Sequence, residues 1–228
     1  MRLLRPSTIH HLRSTLAVLS IAATLSLAGC TAIGFAAHAL EGPPKVQAQF
    51  TPAKVPTLVL VEPSSAVADP TLASVDGDRV ARFVTKQLDQ NKVVPTISPE
   101  QLVVLRDATF LEYRKMTIVQ IARRLNAEQV IAVELDPVGV GTSSGSDALK
   151  GVAACRVRVI DVATQSVVYP TDMAAGAALG YETPIRPIGD KASASTVRTE
   201  ALEGLSDQIA KLFYTWTTED ETGKTLMK

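Results

Sequence analysis

Apolar positions along the chain fall into two regimes. From Ser14 to Leu27, fourteen residues carry no charge and are rich in Leu, Ile, Val and Ala. Beyond Thr57, apolar residues recur with the periods of strands and helices instead. Thr57-Leu58-Val59-Leu60-Val61 is a continuous apolar run of strand length, stopped by Glu62-Pro63, the pattern of a strand buried on both faces. A loop follows from Ser64 to Ser74, marked by Asp69-Pro70. Val80, Phe83, Val84 and Leu88 then predict a helix capped by Asp76 or Asp78 and ended by Asn91. Val93-Val94-Pro95 predicts a short strand, with the proline at its edge or end.

Ser98-Pro99-Glu100-Gln101 offers a Ser cap, Pro at the first helical position and Gln at the third, so a helix from Pro99 to about Arg106 is expected. Thr117-Ile118-Val119-Gln120 repeats the capping-box form. It opens a helix whose apolar face is Ile118, Ile121, Ala122 and Leu125, with Asn126 as its stop. Val130 to Leu135 reads as a buried strand ended by Asp136-Pro137, and Gly139 to Gly151 as a Gly/Ser-rich connector. Arg156 to Val162 predicts a strand, Ala163-Thr164-Gln165 a tight hairpin, and Ser166 to Tyr169 its partner. Thr171 to Pro187 mixes Gly, Pro and small residues and reads as irregular or as an edge. Val197, Ala201, Leu205, Ile209, Leu212 and Phe213 place a closing helix from Ser195 to about Tyr214, and Glu219 to Lys228 is a polar, frayed tail. The expected fold is α+β: a single small mixed β-sheet covered by helices. Its expected order is strand, helix, strand, helix, helix, strand, hairpin, helix.

The first regime is too short for a permanent span, since a bilayer core of about 30 Å needs roughly 20 apolar residues as a helix. Arg2, Arg5 and Arg13 precede it with no acidic residue, which gives the layout of a secretory signal. Its exit, Leu27-Ala28-Gly29-Cys30, resembles the lipobox of bacterial lipoproteins. Small residues at Ala28 and Gly29 let a peptidase approach the backbone, and the thiol of Cys30 forms a thioether to the lipid. The resemblance implies cleavage after residue 29 and a mature chain held to membrane lipid by acylated Cys30. Two or more acyl chains anchor stably where one binds marginally. Thr31 follows the cysteine, where Asp would retain the protein in the inner membrane of some envelopes. The expected location is the outer membrane, facing the periplasm. The expected layout is signal peptide over residues 1–29, anchored tether over 30–56, domain over 57–216 and disordered tail over 217–228.

The precursor carries 23 basic and 23 acidic residues, and loss of the three leader arginines leaves 20 against 23, a net charge of about −3. Such a surface has no phosphate-neutralising character, so no nucleic-acid partner is expected. His10 and His11 belong to the leader and His38 to the tether, which leaves no histidine for a Ser-His-Asp, Cys-His or His-metal site in the domain. Of the two cysteines, acylation of Cys30 leaves Cys155 without a disulfide partner, and its alternating surroundings read as core. Val138 to Ser146 lacks the Gly-Lys-Ser/Thr ending of a phosphate loop. Glu134, Asp136, Asp161 and Asp172 fall at strand ends and turns, where carboxylates serve caps and solvation rather than a metal or acid/base site. Phe213 reads as core, and Tyr214 and Trp216 as an exposed aromatic contact for a partner.

Two further stretches carry a family likeness. Ile121-Ala122-Arg123-Arg124-Leu125-Asn126-Ala127-Glu128-Gln129-Val130-Ile131 is followed by Arg156 to Val168, which contains Ile160-Asp161-Val162-Ala163-Thr164-Gln165. Together they resemble the periplasmic domains of the TolB amino-terminal, LpoB and CsgG type, with Asp161 and Thr164 matching the family hairpin and Gln165 standing where the family usually has Gly. The segment Ile209 to Tyr214, followed by Glu219-Asp220, is similar to a group of uncharacterised envelope lipoproteins. The likeness implies a non-enzymatic accessory role, as an adaptor or assembly component binding another envelope protein. It brings no catalytic residue, metal or cofactor. The alternative is a small-ligand module using Gly139–Gly151 and Thr171–Pro187 as a lid, and a Ser/Lys or carboxylate hydrolase stands third. No segment supplies a pair of alternating lipid-facing strands of about 9–11 residues, so a pore is not expected. The oligomeric state stays open.

Overall fold

The computed structural model describes residues 44–66, 70–142, 148–173, 175–187 and 193–218. The leader, Cys30, Thr31, the tail beyond residue 218 and the middle of the Gly139–Gly151 stretch lie outside the described residues. In chain order the elements are β1 (Lys45–Val46), β2 (Thr57–Pro63), α1 (Pro70–Gln90), α2 (Pro99–Ala108), α3 (Phe110–Tyr113) and α4 (Ile118–Arg124). They continue with β3 (Gln129–Leu135), β4 (Gly139–Thr142), β5 (Ala148–Asp161), β6 (Val167–Tyr169), β7 (Ala177–Glu182), β8 (Arg186–Pro187), α5 (Ala194–Lys211) and β9 (Trp216–Thr217). The chain divides into two compact units, one of residues 47–216 and a second that holds residues 44–46 and 217–218 among those described. In the second, Thr218 N–H donates to the Pro44 carbonyl. No described helix is long and apolar enough to cross a membrane.

The larger unit is an α+β domain built on β5, a 14-residue strand. On one side β5 pairs antiparallel with β3 and then with β4; β2 lies parallel to β3 beyond. On its other side β6, β7 and β8 pair with it in turn, all antiparallel. Between β3 and β4, Asp136, Pro137 and Val138 lie opposite only Ala153 and Ala154, which is a β-bulge. A bulge tolerates Pro137, whose missing N–H is not needed by the ladder.

Alternation along β5 sorts two cores. Ala153, Cys155, Val157 and Val159 join Val59, Ile131 and Val133 on one face, against Val80, Val84 and Leu88 of α1 and Ala201, Leu202, Leu205 and Ile209 of α5. Leu58, Leu60, Val130, Ala132 and Ile160 form the other, under Leu102 of α2 and Ile121 and Ala122 of α4. The all-apolar run of β2 is thereby explained, because helices cover that strand on both faces. At Gly204, α5 presses so closely on β7 that an added Cβ would sit 2.2 Å from Cε1 of Tyr181.

Several sequence expectations change. α1 starts at Pro70, and Asp76 and Asp78 sit inside it rather than capping it. Their carboxylates serve ion pairs between helices, Asp76 with Arg198 and Asp78 with Arg106. Val93-Val94-Pro95 is no strand: Pro95 offers only its carbonyl, which accepts the Thr57 N–H, and the pairing shrinks to one parallel bridge between Thr57 and Thr96. Ser98 makes no capping bond; its hydroxyl turns to Glu100. The Thr117–Gln120 capping box forms in full. The connector after Val138 is instead the hairpin arm β4, and much of Thr171–Pro187 is β7 and β8, because pairing with the long β5 overrides weak local propensity. Residues 47–56, within the stretch expected to be tether, belong to the domain: Gln49 and Phe50 N–H both donate to the Leu212 carbonyl, at 2.8 and 3.1 Å, and the Phe50 ring packs on Tyr169.

Candidate functional site

A sheet packs stably when both faces are covered. Here α1 and α5 cover one face throughout, but α2 and α4 cover the other only over β2, β3 and the end of β5. Among the described residues, no helix covers the remaining face of β4, β5 and β7. Its middle is small and flat: Gly139 beside Val152, Ala154 beside Gly180, with Val152 42% exposed. A row of residues in register (Glu62, Glu134, Arg156, Ala178) crosses four strands at the border between covered and bare halves. Lys150 and Glu182 pair at the opposite border. Glu62 loses part of its hydration against the sheet, which raises its carboxyl pKa; Arg158 opposes this and Glu134 adds to it.

The residues singled out in the sequence are dispersed. Phe213 is buried, edge-on to Tyr169 with ring centroids 6.4 Å apart. Tyr214 is half-buried against the same core. Trp216 is half-buried too, with the Lys211 ammonium 4.2 Å from its ring centroid. Glu134 stands in mid-strand opposite Arg156, and Asp136 in the bulge lies 4.0 Å from Arg156. Asp161 closes the β5–β6 turn, accepting the Thr164 N–H at 2.7 Å and its hydroxyl at 2.8 Å. The backbone bond, then the hydroxyl bond, hold this carboxyl below the usual range. Asp172 lies beyond β6, near Tyr169. Among the described residues no three His, Cys, Asp or Glu side chains come together in a way that would hold a metal. The Cys155 thiol is buried, and burial first, then Asp136, pushes its pKa up to about 12. Within the stretches considered as a ligand lid, β4, β7 and β8 are paired strands of the sheet.

The sequence reading passed over Val152, Ala154, Arg156 and Arg158. The signal was present in the alternation. If Ala153, Cys155, Val157 and Val159 face the core, their neighbours must face away. It also gave no role to a corner where α3 meets α4. There Glu112, Lys115, Met116, Gln120, Arg123 and Arg124 line a shallow, open groove of about 530 Å³.

No family model matches the sequence, and no curated protein matches it. Among solved structures, it is similar to a PelC dodecamer from Paraburkholderia phytofirmans, with 16% identity, 75% of this chain and 97% of that chain covered, and a TM-score of 0.39. It is similar to lipoprotein GNA1162 from Neisseria meningitidis, with 10% identity, coverage of 68% and 98%, and a TM-score of 0.43. It is also similar to the LpoB C-terminal domain from Salmonella enterica, with 14% identity, coverage of 60% and 87%, and a TM-score of 0.31. At these identities and scores the likeness carries no argument about activity, partner or assembly. By its own architecture the chain is an α+β domain with a half-open sheet.

Proposed function

We propose that this chain is a non-enzymatic envelope lipoprotein, held at the outer membrane by acylated Cys30, whose domain acts as an adaptor or assembly component by docking another envelope protein on the bare half of its sheet. The observation that supports the docking is the uncovered face of β4, β5 and β7. There Val152 is exposed amid glycine and alanine, between charged borders formed by Lys150 and Glu182 and by Glu134 and Arg156. An apolar, flat middle with a polar rim is the anatomy of a protein interface. The glycines let a partner backbone approach as closely as another layer of secondary structure would.

Co-purification from detergent-solubilised envelopes tests this. The wild-type chain is expected to retain one partner stoichiometrically. Val152→Arg, which places a charge on the bare face without entering a core, is expected to lose it while staying folded. Cys30→Ser is expected to leave the membrane fraction. Equal partner recovery with wild type and Val152→Arg would show that the bare face is not the docking surface.

A further inference from the structure

A second surface stands apart from the sheet. α3 is a single turn that leaves Phe110 55% and Leu111 74% exposed, the latter the most exposed large apolar side chain among the described residues. Contiguous exposed apolar surface marks contact sites. In this corner the basic residues outnumber the acidic Asp107 and Glu112. Arg114 lies over the Phe110 ring, 5.9 Å from its centroid, and Lys115, Arg123 and Arg124 line the adjoining groove. The one acidic residue of the groove, Glu112, is 4.0 Å from Arg124 and is partly neutralised by it. Arg114 thus contacts one of two protruding apolar side chains, and three more basic residues line the groove of the same corner, Arg123 also donating to the Val162 carbonyl at 3.4 Å, on a chain whose mature net charge is about −3.

We propose that this corner docks on an anionic lipid surface, with Phe110 and Leu111 entering the headgroup boundary and Arg114, Lys115, Arg123 and Arg124 facing lipid phosphates. Charge complementarity supports it, since each Lys or Arg near an anionic bilayer strengthens binding about fivefold. Apolar side chains flanked by cations are the pattern of interfacial contact. The inference draws the nearness of a bilayer from the anchored reading above. The 17-residue step from Cys30 to Gln47 spans at most ~60 Å when extended, so a domain tethered at Cys30 can touch the membrane that holds it.

The test places a solvatochromic thiol probe at Leu111→Cys in the full acylated chain, reconstituted into vesicles of phosphatidylcholine alone or mixed with phosphatidylglycerol. Cys155 is buried and stays unlabelled, and a probe at Val167→Cys, exposed on β6, serves as control. The expected result is a blue shift at position 111 in the anionic vesicles alone. High salt should reverse it, and Lys115→Gln/Arg124→Gln should remove it, with about 25-fold weaker docking from two lost cations. No shift in either vesicle, or the same shift in both, would overturn the proposal. So would a shift that appears only when a protein partner is added. Mass spectrometry of the Cys30 peptide reports the anchor separately, so failure of docking and failure of the anchored reading remain distinguishable.

Discussion

Arg198 ties α5 to α1 and to the sheet. Its Nε lies 3.2 and 3.1 Å from the two carboxylate oxygens of Asp76, Nη2 adds another bond to Asp76, and Nη1 donates to the Val138 carbonyl at 3.0 Å. Asp76 is 4% exposed and the Arg198 side chain 23%, so the carboxylate is withdrawn from water while the guanidinium keeps partial access to it. Arg198→Met keeps much of the packing stem but strands a buried carboxylate and a carbonyl. Removing one partner of such a pair costs about 3–5 kcal/mol. That is a large share of a domain stability of about 5–15 kcal/mol. At ~2–4 °C per kcal/mol for a domain of this size, the midpoint of thermal unfolding should fall by roughly 10 °C. Adding Asp76→Leu should recover most of the loss, because an apolar pair replaces the stranded charge. Thermal unfolding followed by circular dichroism gives both the loss and its recovery. A fall under about 2 °C would refute the idea that this pair fastens α5 to α1.

Three other perturbations follow from the geometry. Gly204→Ala should destabilise by about 1–3 kcal/mol in urea unfolding despite alanine's better helix propensity, because its Cβ meets the Tyr181 ring. Gln165 has φ +59°, in the left-handed region where glycine is unstrained, so Gln165→Gly should raise stability by about 0.5 kcal/mol in the same assay. Glu62 has a folded-state pKa raised above its unfolded value, so the stability it contributes is full below the unfolded pKa and is lost as pH rises through the folded one. Glu62→Gln should therefore be the more stable form near pH 7, and the two urea midpoints should converge below about pH 4; a constant gap would contradict the cause given.

The sequence was legible where local rules and tertiary packing agree. The apolar run of β2, the capping box at Thr117 and the Asp161–Thr164 turn are specified by a few neighbouring residues and form as expected. Gln165 keeps that turn without the usual glycine by taking the left-handed conformation itself. What escaped was set by distant partners. Gly139 to Thr142 lacks strand propensity and is a strand because β5 runs past it. Asp76 looked like a cap because Arg198, 122 residues away in sequence, is invisible to any local pattern. The bare face was half legible: the alternation along Val152 to Val159 separates two faces, but only the arrangement of α2 and α4 shows which one is left uncovered.

The central claim, that the open half of the sheet docks a protein, is tested most directly by photo-crosslinking in living cells. A photoreactive phenylalanine at Val152 or Ala178, both exposed on that face, is expected to give one discrete adduct with a partner protein. The same group at Lys86, on the outward side of α1, is expected to give none. Absence of an adduct from both sheet positions, with the chain folded and membrane-bound, would contradict the account.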